Sequence, residues 1–239
     1  MFKPKKPVLI IVINFQFFMK HEKNYRNEIK YICPRQDIEK VYFQLNKLNF
    51  ERIYEPRIIN NIYFDDYTLS SFYTNEDGIS KREKIRVRWY NKEKKYTLEI
   101  KKKKEFLNTK VSLSLSNGVS LNNRDYKSFG EKLFESIKKK NSNFFYKNNL
   151  DLKIPTLYNN YYREYFYNQN LDIRITLDKN LNFTSPITNL TASTNDNVME
   201  VKYDEKNQLK RIPLNIGEKS KFSKYAKGLI LTTSITKIY

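Results

Sequence analysis

KREKIRVRWY, Lys81 to Tyr90, is the stretch on which the fold turns. Ile85, Val87, Trp89 and Tyr90 favour a strand, and along a strand successive side chains alternate between faces. Arg82, Lys84, Arg86 and Arg88 then share one face, while Ile85, Val87 and Trp89 share the other. Same-face neighbours stand ~6.7 Å apart, so each adjacent pair of cations repels by ~2.5 kcal/mol at an effective dielectric of about 20. Three such repulsions rival the ~5–15 kcal/mol that holds a domain together. The row must face open water or line a site whose polyanionic ligand supplies the missing charge.

Outward from this strand, Tyr96 to Lys103 pairs with it as a hairpin across Asn91 to Lys95. Upstream, Arg57 to Phe64 reads as a strand ending at Asp65 and Asp66, followed by a polar loop with Asp77 and Gly78. Asn24 to Ile32 is a strand carrying Arg26, Glu28 and Lys30 on one face. Pro34 opens a helix striped by Ile38, Val41, Leu45 and Leu48. Downstream, Val111 to Leu115 alternates as a strand and Leu121 to Arg124 reads as loop. Tyr126 to Lys140 reads as a second helix with Phe129, Leu133, Phe134 and Ile137, and Asn141 to Asp151 as a polar linker. The second half adds strands over Thr156 to Tyr167, Leu171 to Leu177 and Val198 to Tyr203, with a polar loop over Thr184 to Asn197. Ser220 to Gly228 reads as a short helix with Lys221, Lys224 and Lys227 on one side and Gly228 placed to end it.

No internal boundary divides residues 19–239, which read as one α+β domain. Residues 1–18 stand apart. Lys3, Lys5 and Lys6 precede an apolar run from Val8 to Phe18 that Asn14 and Gln16 interrupt. The run is about half the length of a membrane-spanning helix, and no small-residue cleavage site follows it. It reads as an extension ahead of a start at Met19; the alternative is a signal or anchor. The expected location is the cytoplasm, with any membrane attachment made through a partner.

Forty-five Lys and Arg against 26 Asp and Glu give a net charge of +19, which calls for an anionic partner: nucleic acid, a phosphorylated metabolite or an anionic membrane. The single cysteine, Cys33, excludes an internal disulfide framework and a cysteine-based zinc site. The single histidine, His21, leaves no Ser-His-Asp arrangement unless it serves itself. Only five glycines are present, in no phosphate-cradling pattern, so phosphate binding rests on side chains.

Three times the chain writes Glu, an apolar residue and Lys: Glu28-Ile29-Lys30, Glu99-Ile100-Lys101 and Glu200-Val201-Lys202. Arg86-Val87-Arg88 and Ile173-Arg174-Ile175 follow the same alternation. Several strands thus offer one apolar face and one face of mixed Arg, Lys and Glu; closed into an antiparallel barrel, they would enclose a charged tunnel. The competing reading is an ordinary sheet with a solvated basic face. Sparse carboxylates among cations suit a divalent metal holding a polyphosphate, whereas a nucleic-acid groove gains nothing from them.

The motifs EIKY, NIYFDD, IRVRWY, LEIKKK, YYREYF, IRITLD, MEVKY and KFSKYAKG, in this order, resemble the catalytic domain of the vacuolar transporter chaperone (VTC) polyphosphate polymerases, within the triphosphate tunnel metalloenzyme (CYTH-like) superfamily. The resemblance runs from about Tyr25 to Gly228. It implies a cationic tunnel barrel that transfers the ATP γ-phosphate to inorganic polyphosphate with Mn2+ or Mg2+, and no nucleic-acid partner. It makes Lys30, Arg86, Arg88, Lys101, Arg163 and Arg174 the reacting wall and Glu200 a metal ligand, with Glu28 and Glu99 as further carboxylates. Arg82, Lys84 and Lys202 join them in holding substrate, and Lys221 and Lys224 close over the tunnel. The superfamily's opening Glu-x-Glu-x-Lys departs here, since Arg26 takes the first position, which resembles the polymerase branch and disfavours a two-metal hydrolytic site. A tunnel triphosphatase and a polyanion receptor without turnover are the alternatives.

Overall fold

The computed structural model describes residues 26–105, 107–115, 119, 121, 124–204 and 217–233, so the extension over 1–18 lies outside the described residues. Ten strands form one antiparallel sheet: β1 (Arg26–Pro34), β2 (Glu51–Asp65), β3 (Arg82–Tyr90), β4 (Tyr96–Lys104), β5 (Leu107–Leu115), β6 (Ile154–Asn168), β7 (Ile173–Thr184), β8 (Thr191–Thr194), β9 (Asp196–Asp204) and β10 (Glu218–Ser220). The helices are α1 (Ile38–Lys47), α2 (Ser70–Glu76), α3 (Tyr126–Lys140), α4 (Ser142–Lys147) and α5 (Lys224–Thr232). Strand order is β10-β1-β9-β7-β6-β2-β3-β4-β5, with β8 on β7.

Alternation along the strands sorts the side chains as the sequence demands. Ile85, Val87, Trp89, Leu98 and Ile100 face α3 and pack with Phe129, Leu133, Phe134 and Ile137. Across the sheet, Ile173, Ile175, Leu177, Met199 and Val201 face α1 and pack with Val41 and Leu45. Helix α3 begins where the Asp125 side chain accepts the Ser128 N–H at 3.0 Å, a cap worth ~1 kcal/mol. Both apolar layers lie on one side of the sheet, and the charged rows share the other.

That charged side is strongly concave. Strands β1 and β3 are five positions apart in the sheet, which would separate them by about 24 Å were it flat. Yet Lys30 of β1 donates to the Phe222 carbonyl at 3.3 Å, and Lys84 of β3 donates to the adjacent Ser223 Oγ at 3.1 Å. The segment entering α5 therefore touches both walls. Helix α5 fills one end of the concavity, where Phe222, Tyr225, Ala226 and Leu229 pack on Tyr63, Leu157, Phe183 and Val198. Among the described residues β5 and β10 do not pair, so the sheet curls without an observed closure.

Several boundaries differ from the sequence reading. The linker after α3 holds α4, whose Phe145 is buried, and the polar loop after β7 holds β8. The loop after β2 holds α2. Helix α5 starts at Lys224, with the Ser223 side chain accepting the Ala226 N–H. Gly228 lies inside that helix, where a Cβ would stand 2.5 Å from Leu157 and 2.6 Å from Phe183. Close approach, not helix termination, is what requires glycine there.

Candidate functional site

On one wall, Arg86 of β3 lies opposite Glu99 of β4. Its Nε is 2.7 Å and its Nη2 2.6 Å from Glu99 Oε2, while Lys110 of β5 is 2.8 Å from Oε1. Burial alone would raise the Glu99 carboxyl, but Arg86, Arg88 and Lys110 outweigh it and hold it well below the usual carboxylate range. Arg88 donates to Asn61 Oδ1 at 2.8 Å and to the Tyr161 hydroxyl at 3.2 Å. Asn61 in turn donates to Asn159 Oδ1 at 2.8 Å.

On the other wall, Arg163 grips Asp178 with two N–H donors at 2.5 and 2.7 Å. Lys224 of α5 reaches the same carboxylate at 2.6 Å. Asp178 is fully buried; burial by itself raises its pKa, and the two cations bring it below normal. Glu200 of β9 pairs with Lys202 at 2.7 Å. Glu28 of β1 lies 3.1 Å from Lys30 and 3.8 Å from Lys202. Arg174 stands opposite Lys202 in the β7–β9 ladder, exposed, with its Cζ 5.9 Å from the Tyr167 ring.

Positive charge is left over between the walls. Lys84, Lys101 and Arg174 have no carboxylate at ion-pair distance among the described residues. Burial, then Lys30, Arg82 and Arg86, press the Lys84 ammonium down to about 8. Burial, then Arg86, with Lys202 and Arg88 adding to it against Glu99, press Lys101 down to about 7. Lys101 is nonetheless exposed by surface area. A lysine that water reaches while neighbouring cations press on it fits a concave space walled by protein.

The structure thus brings Lys30, Lys84, Arg86, Arg88, Lys101, Arg163, Glu200, Lys202 and Lys224 to one concave face, with Glu28 and Arg174 toward solvent. Arg82 lies on the same row, opposite Lys103. Lys221 is exposed ahead of α5. Motif reading missed Asp178, Asn61, Tyr161 and Lys110. Asp178 continues the alternating row of Arg174 and Thr176, while Asn61 and Tyr161 lie inside NIYFDD and YYREYF with nothing local to tie them to Arg88. The Asp65 of NIYFDD proves to be an anchor: it accepts from the Ser71 and Phe72 N–H groups at 3.0 and 3.1 Å and from the Tyr225 hydroxyl at 2.8 Å, tying β2 to α2 and α5.

The three expected metal carboxylates do not converge. Among the described residues no group of three or more His, Cys, Asp and Glu side chains could hold an ion. Glu99 has both oxygens engaged by Arg86 and Lys110. Glu28 and Glu200 share Lys202 across adjacent strands, which leaves two carboxylates near one another as candidate oxygen ligands for a divalent ion. Two buried polar atoms on the concave face, Asn159 Nδ2 and Thr176 Oγ1, have no protein partner and would suit ligand oxygens or water.

Fold and charge together define a class: a curled antiparallel sheet whose concave face is cationic. A family profile described as VTC domain matches residues 25–233, and the chain belongs to that family. Among solved structures, the Hippeastrum protein HpAC1, described as having a dominant triphosphatase activity, is 13% identical at a TM-score of 0.54, over 86% of this chain and 96% of that one. The PH1819 protein of Pyrococcus horikoshii OT3 is 16% identical at 0.48, over 87% and 98%. At such identities the likeness concerns the fold, and the Hippeastrum match carries it. No functionally curated protein matches the chain. The fold is that of the VTC family, and the Hippeastrum match extends the likeness to the arrangement of strands and helices. Among the described residues no helix is long and apolar enough to cross a membrane.

Proposed function

We propose that this protein is a metal-dependent phosphoryl transferase that extends inorganic polyphosphate with the γ-phosphate of ATP. The supporting observation is the surplus of cations in the concavity. Among the described residues Glu28, Glu99, Asp178 and Glu200 each already have a cationic partner, while Lys84 and Lys101 are pressed below their ordinary values by burial and like charge. A polyanion spanning the face would relieve both.

The guanidinium groups are set before a ligand arrives. Arg86 is held by Glu99, Arg88 by Asn61 and Tyr161, and Arg163 by Asp178, so their remaining donors stabilise developing charge without reorganising. Lys30 and Lys84 join the substrate walls to the entry of α5, and Lys224 lies between Asp178 and the Tyr161 ring, 4.8 Å from its centroid. Arg82, Arg174, Lys202 and the exposed Lys221 serve the ends of the chain. Glu200 and Glu28 are the carboxylates that would hold a divalent ion, which when bound would supply Lewis-acid neutralisation of phosphate charge.

Hydrolysis is the second reading, favoured by the triphosphatase described for the Hippeastrum protein of like fold. Arg26, where the wider superfamily has a glutamate, favours synthesis. Incubating the protein with ATP and Mn2+ or Mg2+, then resolving products on a gel stained for polyphosphate, separates them. Growing chains are the expected result. Free phosphate alone makes the protein a triphosphatase, and neither product with intact tripolyphosphate binding leaves a receptor and overturns the proposal.

A further inference from the structure

The cationic row on β3 ends at Tyr90, and beside it stands an arginine that no carboxylate among the described residues holds. Arg57 of β2 lies opposite Arg163 in the β2–β6 ladder. Its Cζ is 5.6, 5.4 and 5.6 Å from the ring centroids of Tyr54, Tyr90 and Tyr165, contributed by β2, β3 and β6. Tyr54 and Tyr165 meet edge-on, with centroids 5.6 Å apart and planes at 90°. Register shifts between Arg52 and Tyr54 and between Tyr54 and Arg57 explain why residues three apart on one strand reach the same cluster.

The rings position the guanidinium by cation–π attraction but accept none of its in-plane hydrogen bonds. Among the described residues Arg57 makes no hydrogen bond and no ion pair, although it is half-buried. Its fork of donors is aligned and unspent, unlike that of Arg163, which Asp178 engages. A nucleobase would need the ring faces that Arg57 already occupies. An oxygen-rich anion needs only the fork.

We infer that Arg57 in its tyrosine cage is a subsite for a further phosphoryl group of a linear phosphate chain longer than triphosphate, continuing the wall past Arg88 and Arg163. The inference rests on the polyphosphate reading above. Cross-strand partners lie about 4.5–5.5 Å apart, so a chain held by Arg163 reaches Arg57 without leaving the protein. The subsite makes the protein favour long chains over triphosphate.

Titration calorimetry of the full chain with tripolyphosphate and with a long linear polyphosphate tests this. Arg57→Gln should cost the long chain about tenfold or more in affinity beyond any loss for tripolyphosphate, as expected for a charge-assisted fork. Arg57→Lys, which keeps the charge without the fork, should fall between. Tyr90→Leu loosens the cage with Arg57 intact and should again weaken the long chain selectively, at an unchanged thermal midpoint. Equal losses for the two anions, or no loss, overturn the subsite while leaving the broader function standing. A wild type that binds neither polyphosphate overturns both.

Discussion

Asp178 orders more of the concave face than its motif discloses. It is fully buried and holds Arg163 and Lys224 together. Asp178→Asn keeps the shape and strands two buried cations, at a cost of about 3–5 kcal/mol read by chemical denaturation. Because the folded carboxyl lies below its unfolded value, its contribution is present above about pH 4 and is lost as pH falls through the folded value. Wild type and variant should therefore converge in acid; a gap that persists there contradicts the linkage. Lys101 has the same sign in a higher pH window. With a folded value of about 7, it leaves the unfolded chain holding more protons above that pH, so the free protein gains stability from about pH 7 to 10. A bound polyanion restores the proton, so binding at about pH 8 should take up protons, measured by calorimetry in two buffers of different ionisation enthalpy. Lys101→Met should reduce that uptake, and an unchanged value would dismiss Lys101 from the site. Glu200→Gln should leave tripolyphosphate binding intact or tighter while turnover falls by orders of magnitude, since it removes a carboxylate that suits an ion and no phosphate contact. Normal turnover in that variant would remove Glu200 from the mechanism. The cations were legible because a period of two places them in one row. Asn61 and Tyr161 were not, because only strand pairing carries them to Arg88.

At the scale of elements, α5 joins the apolar end of the concavity to its charged walls. Gly228→Ala would place a methyl against Leu157 and Phe183, both fully buried and unable to swing aside. Overpacking costs about 1–3 kcal/mol and should exceed the ~1 kcal/mol that alanine returns as a helix former. Because α5 carries Lys224 and follows Ser223, tripolyphosphate affinity should fall together with the urea midpoint. A variant more stable than wild type would show that the helix has room to move. Long periodic elements were readable: α3 has Phe129, Leu133 and Ile137 on one stripe, and β3 and β4 alternate cleanly. Short ones were not. Helix α4 has six residues and offers too little periodicity to outweigh the asparagines around it, and the four residues of β8 contain no large apolar side chain. Helix α5 was placed too early because its lysines suggested a helix face before Ser223 had capped it.

For the whole molecule, sequence alternation established that several strands carry charge on one side, but the facing of those sides is a matter of nonlocal strand order. Nothing in a local motif brings Lys30 to the same segment of chain as Lys84. A net charge of +19 compounds the repulsion that this facing creates. An anion that enters the concavity touches both walls and α5, and so should stabilise the fold as one unit. At about 100 times its dissociation constant, tripolyphosphate adds ~2.7 kcal/mol by mass action, which for a domain of this size raises the thermal midpoint by roughly 5–10 °C. Duplex DNA offers the same phosphate charge on a rigid rod that meets only the outer lysines. At matched phosphate concentration and ionic strength it should raise the midpoint far less, and added salt should erase its effect first. If DNA stabilises the protein as much as tripolyphosphate does, the anion site lies on the outer surface and the concave face is not where phosphate binds.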